Sequence, residues 1–455
     1  MAADDAPSTE EMGPFFGAGL DGAPRSGLAS SAGAVLPPAL LTNADYYGTL
    51  AAVRSLGRAG VPVTVADSGR FGVSSWSKYT THRVKSPRVR STSEFLEWLL
   101  QFGAKNGRHV LLPTSDDTAW LYALHREDLS RYFDLASPSV DVIYSLLNKR
   151  RLYQKAVDAG LDVPRTWFPQ SADEVEQCGR EARFPVVIKP VTQVMFKTLS
   201  KGLCVQTAGQ LQERYAEFVR QPHEDALLQF DPTAARPMVQ EFYPEAATGI
   251  YNISAYVHRG RLCGVRAARK LLQQPRQLGV GVCFEEASVA PELAAGLERL
   301  VSTLGFSGVV EAEFIRRAGD AMLIDFNPRF YNQMGFDIAR GLPLPLLAYY
   351  DAMKNGTAFK DLRDRMAPQA QSQGAVSVDL SSMRVLLFVQ RLSGALSYAE
   401  KKKWTEWYDA NRHRSTDCAL DADDMLPFWF GTAKLMTRYG RHPRSFFRSI
   451  VMNRA

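Results

Sequence analysis

Between Val309 and Arg329 the chain has little choice but a hairpin, because two alternating strand-like runs flank the tight turn Ala318-Gly319-Asp320. Centring the turn on Gly319 sets Arg317 opposite Ala321, Glu313 opposite Asp325 and Glu311 opposite Asn327. Side chains alternate along a strand, so one face carries Val310, Ala312, Phe314, Met322, Ile324 and Phe326 and is predicted to be core. The other face gathers Glu311, Glu313, Asp325 and Asn327. Carboxylates set directly opposite each other repel and weaken a hairpin. Two readings are open from this stretch alone: a solvated polar face that tolerates like charges, or the oxygen-rich ligand set that a hard divalent cation prefers.

Ahead of the hairpin the chain opens with a stretch to about Pro38 rich in Ala, Gly, Ser and Pro, a flexible tail too poor in apolar residues to offset its ordering entropy. Ala39-Leu40-Leu41, an amphipathic helix from Gly48 to Ala59 closed by Gly60, and Val61 to Asp67 then read as a βαβ unit, which implies a parallel sheet. Ser91 to Glu94 reads as a capping box opening a helix through Phe102, and His109 to Pro113 as the next strand, with Thr114 to Asp117 capping the helix after it. Thr42-Asn43-Ala44-Asp45-Tyr46 stands where a glycine-rich fingerprint would follow the first strand, which argues against a dinucleotide site.

A helix is predicted from about Val140 to Ala159, carrying the basic cluster Asn148-Lys149-Arg150-Arg151. Phe184 to Pro190 is a buried strand with Lys189 where it emerges; that lysine either snorkels to solvent or binds phosphate at the floor of a cleft. The polar stretch Gln193 to Gly202, with Lys197 and Lys201, suits a loop over phosphates. Met238 to Glu245 is a strand running into a turn, and Tyr251 to Val257 followed by Leu262 to Lys270 forms a meander leading to the hairpin, before a helix from Pro291 to Leu304 capped by Gly305.

At 455 residues the chain is long enough for several domains. Its five cysteines form neither a zinc pattern nor a disulfide framework, and its net charge of +6 suits phosphate-bearing or acidic partners without calling for nucleic acid. No run approaches the roughly 20 apolar residues of a membrane span, and the acidic start (Asp4, Asp5, Glu10, Glu11) is unlike a secretory signal; the expected setting is cytoplasmic.

Taken in order, these motifs resemble the ATP-grasp superfamily, in particular the predicted carboxylate–amine ligases related to D-aspartate ligase, over roughly residues 39 to 450. The resemblance implies an α/β (α+β) fold: a tail (1–38), an N-terminal Rossmann-like pre-ATP-grasp domain (39–140), an ATP-grasp domain (141–360, its lid about 185–245) and a helical C-terminal extension (361–455). It implies ATP and magnesium (or manganese), with Lys149 and Lys189 on phosphates and Gln240, Glu241, Phe242 and Tyr243 as the hinge strand whose backbone holds adenine. Glu245 is the candidate for the ribose. Glu313, Asp325 and Asn327 fall on the family's metal ligands, Arg329 on the arginine beside the transferred phosphate, and Arg269 with Lys270 on a pair that reaches the substrate side. Asn148 and Asp325 stand where the family carries Asp and Glu, and Glu311 stands where D-alanine ligases carry arginine.

The expected activity is joining a small-molecule carboxylate, plausibly an amino acid, to an amine through an acyl phosphate, with release of ADP and phosphate. An ATP-grasp carboxylase or carbamoylating enzyme using bicarbonate, and a nucleotide-binding regulatory protein with weakened catalysis, are the alternatives. A homodimer through the first domain is expected by analogy. The tail after Pro427, with Trp429, Lys434, Arg438, Tyr439, Arg441, Arg444, Phe446, Phe447 and Arg448, reads either as a helix packed on the catalytic body or as a peripheral contact with an anionic membrane.

Overall fold

The computed structural model describes residues 36–69, 72–197, 202–221, 223–274, 279–317, 319–366, 374–392, 394 and 396–441. The tail as far as residue 35, Lys201, the turn residue Ala318, and Arg444, Phe446, Phe447 and Arg448 lie outside the described residues. Sixteen strands make three sheets among the described residues. The first holds β1 (Ala39–Leu41), β2 (Val63–Asp67), β3 (His82–Lys85), β4 (His109–Leu111) and β5 (Phe133–Asp134), all parallel, in the order β3-β2-β1-β4-β5. The order reverses between β1 and β4, which opens a crevice at the carboxyl ends of those two strands.

A small antiparallel sheet, order β6-β9-β7-β8, is built from β6 (Thr166–Trp167), β7 (Val186–Lys189), β8 (Leu203–Val205) and β9 (Met238–Glu241). The largest sheet contains β10 (Ile250–His258), β11 (Arg261–Gln274), β12 (Val280–Ala287), β13 (Gly308–Arg317), β14 (Asp320–Asn327), β15 (Val376–Val378) and β16 (Ser415–Asp417), in the order β14-β13-β10-β11-β12-β15-β16. The segment after 361 is therefore not only helical: besides the helices Leu380–Leu392, Tyr398–Asn411 and Leu426–Arg441 it adds two strands to the edge of this sheet. No helix among the described residues is long and apolar enough to cross a membrane.

The hairpin pairs Glu311 with Asn327 and Glu313 with Asp325 as the turn predicts. Beyond Glu313 the register shifts, and Arg317 meets Asp320 rather than Ala321. The turn is one residue tighter and Ile324 is the extra residue on β14, a β-bulge that absorbs the difference. The bulge exchanges faces: Leu323 is buried with Val310, Ala312, Phe314 and Phe326 in the main core, whereas Met322 and Ile324 join Ile250, Ile315 and Tyr243 in a separate apolar group.

The predicted helix over 140–159 is two helices, Val140–Leu147 and Lys149–Asp158, broken at Asn148. Asn148 Oδ1 accepts from the amides of Arg150 (3.0 Å) and Arg151 (3.3 Å), the bonding of an N-cap that ends one helix and starts the next. Ser91 precedes the helix Thr92–Asn106, but its side chain makes no cap bond.

Gly48, in the helix Tyr47–Arg58, lets that helix press on the backbone beside Arg329: a Cβ there would lie 2.5 Å from the carbonyl oxygen of Tyr331. Gly48→Ala is therefore expected to destabilise the fold by about 1–3 kcal/mol through overpacking, read as a lower urea midpoint.

Candidate functional site

A cavity of ≈ 440 Å³ lies over the polar face of β13 and β14. It brings together seven of the predicted residues: Lys149, Lys189, Lys270, Glu313, Asp325, Asn327 and Arg329. Each arrives by a different route. The break at Asn148 puts Lys149 at the start of a helix, where its backbone amide donates to Val191 O (2.7 Å) and its ammonium pairs with Asp325. Burial disfavours the charged Lys149, but the Asp325 carboxylate outweighs it and holds the pKa above its ordinary value. Lys189 ends β7, and its ammonium donates to Gln240 Oε1 at 3.0 Å. Lys270 reaches from β11 over β10 to both Glu313 carboxylate oxygens, each at 3.2 Å.

Glu311 is buried under this layer. Its Oε1 accepts from Asn252 Nδ2 and from Gln333 Nε2 (2.7 Å), and its Oε2 from Asn327 Nδ2 (2.6 Å). Burial, and next the charge of Glu313, push its pKa up to about 7 although these amides favour the carboxylate. Glu311 thus orients the Asn327 amide rather than meeting the cavity's contents alone. Asn327 turns its Oδ1 to Arg329 Nη2, 2.7 Å away.

Arg329 makes the densest set of bonds in the site: to Asp116 Oδ1 (2.8 Å), Tyr46 OH (3.2 Å) and its neighbour Phe330 O (3.0 Å), besides Asn327. Burial alone would lower its pKa; Asp116, first among its neighbours, reverses that and keeps the guanidinium charged. Tyr46 ends the loop after β1 and Asp116 opens the helix Asp116–Leu124 that follows β4, both at the crevice of the first sheet. A second cavity of ≈ 560 Å³ fills that crevice and shares Tyr46, Asp116, Gln193 and Arg329 with the first. Arg88, Arg90, Asn43 and Asp67 also line it.

Several of the expected residues do not line this cavity. Arg269 neighbours Lys270 on β11 and so points to the opposite face, where it pairs with Glu285 at 2.6 Å, mostly exposed; the cavity is out of its reach. The hinge residues Gln240, Glu241, Phe242 and Tyr243 are absent from the cavity lining. The amide of Glu241 donates to Arg165 O and that of Phe242 to Pro185 O, both at 3.1 Å, because β9 is an inner strand with β6 and β7 on either side. Gln240 is buried and spends its amide on Tyr153 OH and Thr166 Oγ1. Glu245 pairs with Arg317 at 3.3 Å, outside the lining.

Residues not singled out from the sequence complete the site, namely Tyr46, Asp116, Asn252 and Gln333, beside Gln193 at the start of the polar stretch after β7. Asn252 carried a readable signal, a carboxamide inside the otherwise apolar Ile250 to Val257 strand. Tyr46 and Asp116 did not, since their partner Arg329 lies more than two hundred residues further along the chain.

The stretch after Lys189 is pinned to the helix Asp116–Leu124 that follows β4, with Met195 N donating to Asp117 Oδ1 at 2.6 Å. From the other side His223 Nδ1 donates to Val194 O at 2.9 Å, its ring against Phe196. Burial lowers the His223 pKa below its ordinary 6.5. A depressed histidine supplies stability that is present above the unfolded value and lost as pH falls through the folded one. The urea midpoint is expected to drop as pH falls below 6.5, and to drop less in His223→Phe.

No protein-family model matches the chain. In sequence it is 24% identical over 286 residues to the D-aspartate ligase of Enterococcus faecium (strain Aus0004), a match covering 57% of this chain and 64% of that protein. In structure it is similar to an L-amino acid ligase from Bacillus licheniformis (TM-score 0.54, 14% identity, 73% of this chain and 78% of that one). It is also similar to the biotin carboxylase domain of the 2-oxoglutarate carboxylase of Hydrogenobacter thermophilus, solved with MgADP and bicarbonate (TM-score 0.55, 12% identity, 70% of each chain). With the parallel sheet, the small antiparallel sheet and the acidic hairpin in the order described above, the chain has the ATP-grasp fold.

Proposed function

We propose that this protein is an ATP-dependent ligase that joins a carboxylate to an amine. The observation that carries the reading is the cross-strand pair Glu313 and Asp325, faced by three lysines in one cavity and flanked by Arg329 where the second cavity opens. Glu313, Asp325 and the Asn327 amide oxygen are hard donors. Among the described residues no group of three His, Cys, Asp or Glu forms a metal cage. A magnesium ion carried in by a nucleotide needs none, since one or two carboxylates plus phosphate oxygens are its usual partners. The donor set therefore fits magnesium, which when bound would neutralise charge on the terminal phosphates.

The protein's own part is positional. Lys149 and Lys189 would hold phosphate oxygens opposite the carboxylates, and Lys270 fixes the Glu313 carboxylate. Arg329, held by Asp116 and Tyr46, would steady the charge of an acyl phosphate while an amine approaches from the crevice of the first sheet. The resemblance to D-aspartate ligase and to L-amino acid ligase supports amino acids as the class to try first.

The test is ADP release by the full chain with ATP, magnesium and paired amino acids, with products read by mass. Release that needs both a carboxylate and an amine, with a product lighter than their sum by one water, is the expected result. Release with bicarbonate alone would favour the carboxylase, and nucleotide binding without turnover the regulatory reading.

A further inference from the structure

The helix Leu426–Arg441 has an unusual division of faces. One side is docked: Phe428 packs with Leu50, Val73 and Ala419, Thr432 Oγ1 is 2.8 Å from Ser381 Oγ, and Lys434 pairs with Asp45. The side left in solvent is mostly apolar, with Thr437 and the half-exposed Lys434 its polar members among the described side chains. Leu426, Trp429, Phe430 and Met436 are 56%, 59%, 40% and 59% exposed, and Ala433 is exposed between them. Their spacing of three, four and seven places them in one stripe along the helix. Phe430 is steadied there by stacking on Trp76, ring centroids 3.8 Å apart. The neighbouring helix Leu380–Leu392 also exposes Phe388 (58%) and Leu392 (72%). Large apolar side chains scattered singly in water are ordinary, but a continuous stripe marks a surface that something covers.

The charge of this part of the sequence indicates what. Of the chain's 54 Lys and Arg, six fall between Met425 and Ala455, namely Lys434, Arg438, Arg441, Arg444, Arg448 and Arg454; none of its 48 Asp and Glu does. This short stretch thus carries the whole net charge of +6, and the rest of the chain is balanced. A helix with Trp, Phe and Leu on one face, set in a basic stretch free of acids, has the composition of one lying in the plane of a membrane interface. Tryptophan favours the headgroup level, and Lys and Arg are drawn to anionic lipids.

We propose that the helix Leu426–Arg441 seats the protein peripherally on an anionic lipid surface, its Leu426–Met436 stripe entering the headgroup region, with the positive composition of this stretch of sequence favouring anionic over neutral lipid. This goes beyond the ligase reading and does not depend on it.

The test is sedimentation of the full chain with vesicles of phosphatidylcholine alone or of an equimolar mixture with phosphatidylserine. Pelleting only with the anionic vesicles, and less of it as salt is raised, is expected. The double variant Trp429→Glu, Met436→Glu should bind those vesicles at least about tenfold more weakly, with an unchanged circular dichroism spectrum and urea midpoint. Equal pelleting with both vesicles, none with either, or undiminished binding by the double variant would overturn the proposal. So would self-association that the double variant abolishes, or retention on RNA without vesicle binding, since these assign the stripe to a second copy or the charge to nucleic acid.

Discussion

Asp325→Asn is expected to lower ATP-dependent turnover by about 10²- to 10³-fold while leaving the fold in place. The substitution keeps the volume on β14 and a carbonyl oxygen that can still accept from Lys149, so the packing under the hairpin is not disturbed. Asp325 is 42% exposed, which screens the pair, but Lys149 is only 14% exposed, so losing its countercharge is expected to cost about 1–3 kcal/mol and to lower the midpoint of a still cooperative melt. What disappears is one of two negative charges facing the site where phosphates would be neutralised. A carboxamide offers one neutral oxygen in place of two that share a charge, and that difference is felt most where charge moves during transfer. The measurement is ADP release at saturating carboxylate and amine, beside a urea melt of the same preparation. A cooperative melt with turnover reduced a hundredfold supports the assignment. Undiminished turnover would remove Asp325 from the site, and with it the reading of the hairpin as the place where the nucleotide's cation sits. Collapse of the melt would mean the Lys149 contact is structural, in which case Glu313→Gln, on the partner strand, takes over the test.

How much of this was legible in the sequence follows from which forces act locally. Cross-strand neighbours near a tight turn are fixed by alternation, so Glu313 opposite Asp325 and Glu311 opposite Asn327 followed from the turn alone. The bulge at Ile324 did not, because a turn tighter by one residue and a bulge give the same pairing beyond it. Alternation also separates Arg269 from Lys270, since adjacent residues on a strand cannot face one cavity; only the lysine lines it. The hinge strand was placed correctly as a strand, but its neighbours decide which of its amides stay open, and β6 and β7 flank it on both sides. Asn148 looked like a helical residue in a basic cluster, although an asparagine before Lys-Arg-Arg is also a good cap. Tyr46 and Asp116 depend on contacts between segments far apart in the chain, which no local pattern records.

Those long-range contacts make Asp424 the position where a single change should cost the most stability. Asp424 is buried, its side chain 2% exposed, and it ties the segment after the last strand to the first domain. Its Oδ2 accepts from Arg54 Nε (2.9 Å) and Ser77 Oγ (2.6 Å), and its Oδ1 from the amide of Lys78 (2.9 Å). Arg54, itself nearly enclosed, also donates to the carbonyls of Ala419 and Asp424, both at 2.8 Å. Asp424→Ala would leave a buried guanidinium, a hydroxyl and an amide short of their acceptor, and breaking such a pair from one side costs about 3–5 kcal/mol. Asp424→Asn should cost less, because its oxygen can replace one of the two acceptors. The loss should also reach the active site. The same segment packs Phe428 against Tyr47 and pairs Lys434 with Asp45, so it holds the loop that delivers the Tyr46 hydroxyl to Arg329. In Asp424→Ala, the urea midpoint should fall together with the affinity for whichever substrate Arg329 contacts, whereas Asp424→Asn should recover most of both. A fall in stability with substrate affinity untouched would show that the clasp on the first domain is separate from the placement of Tyr46.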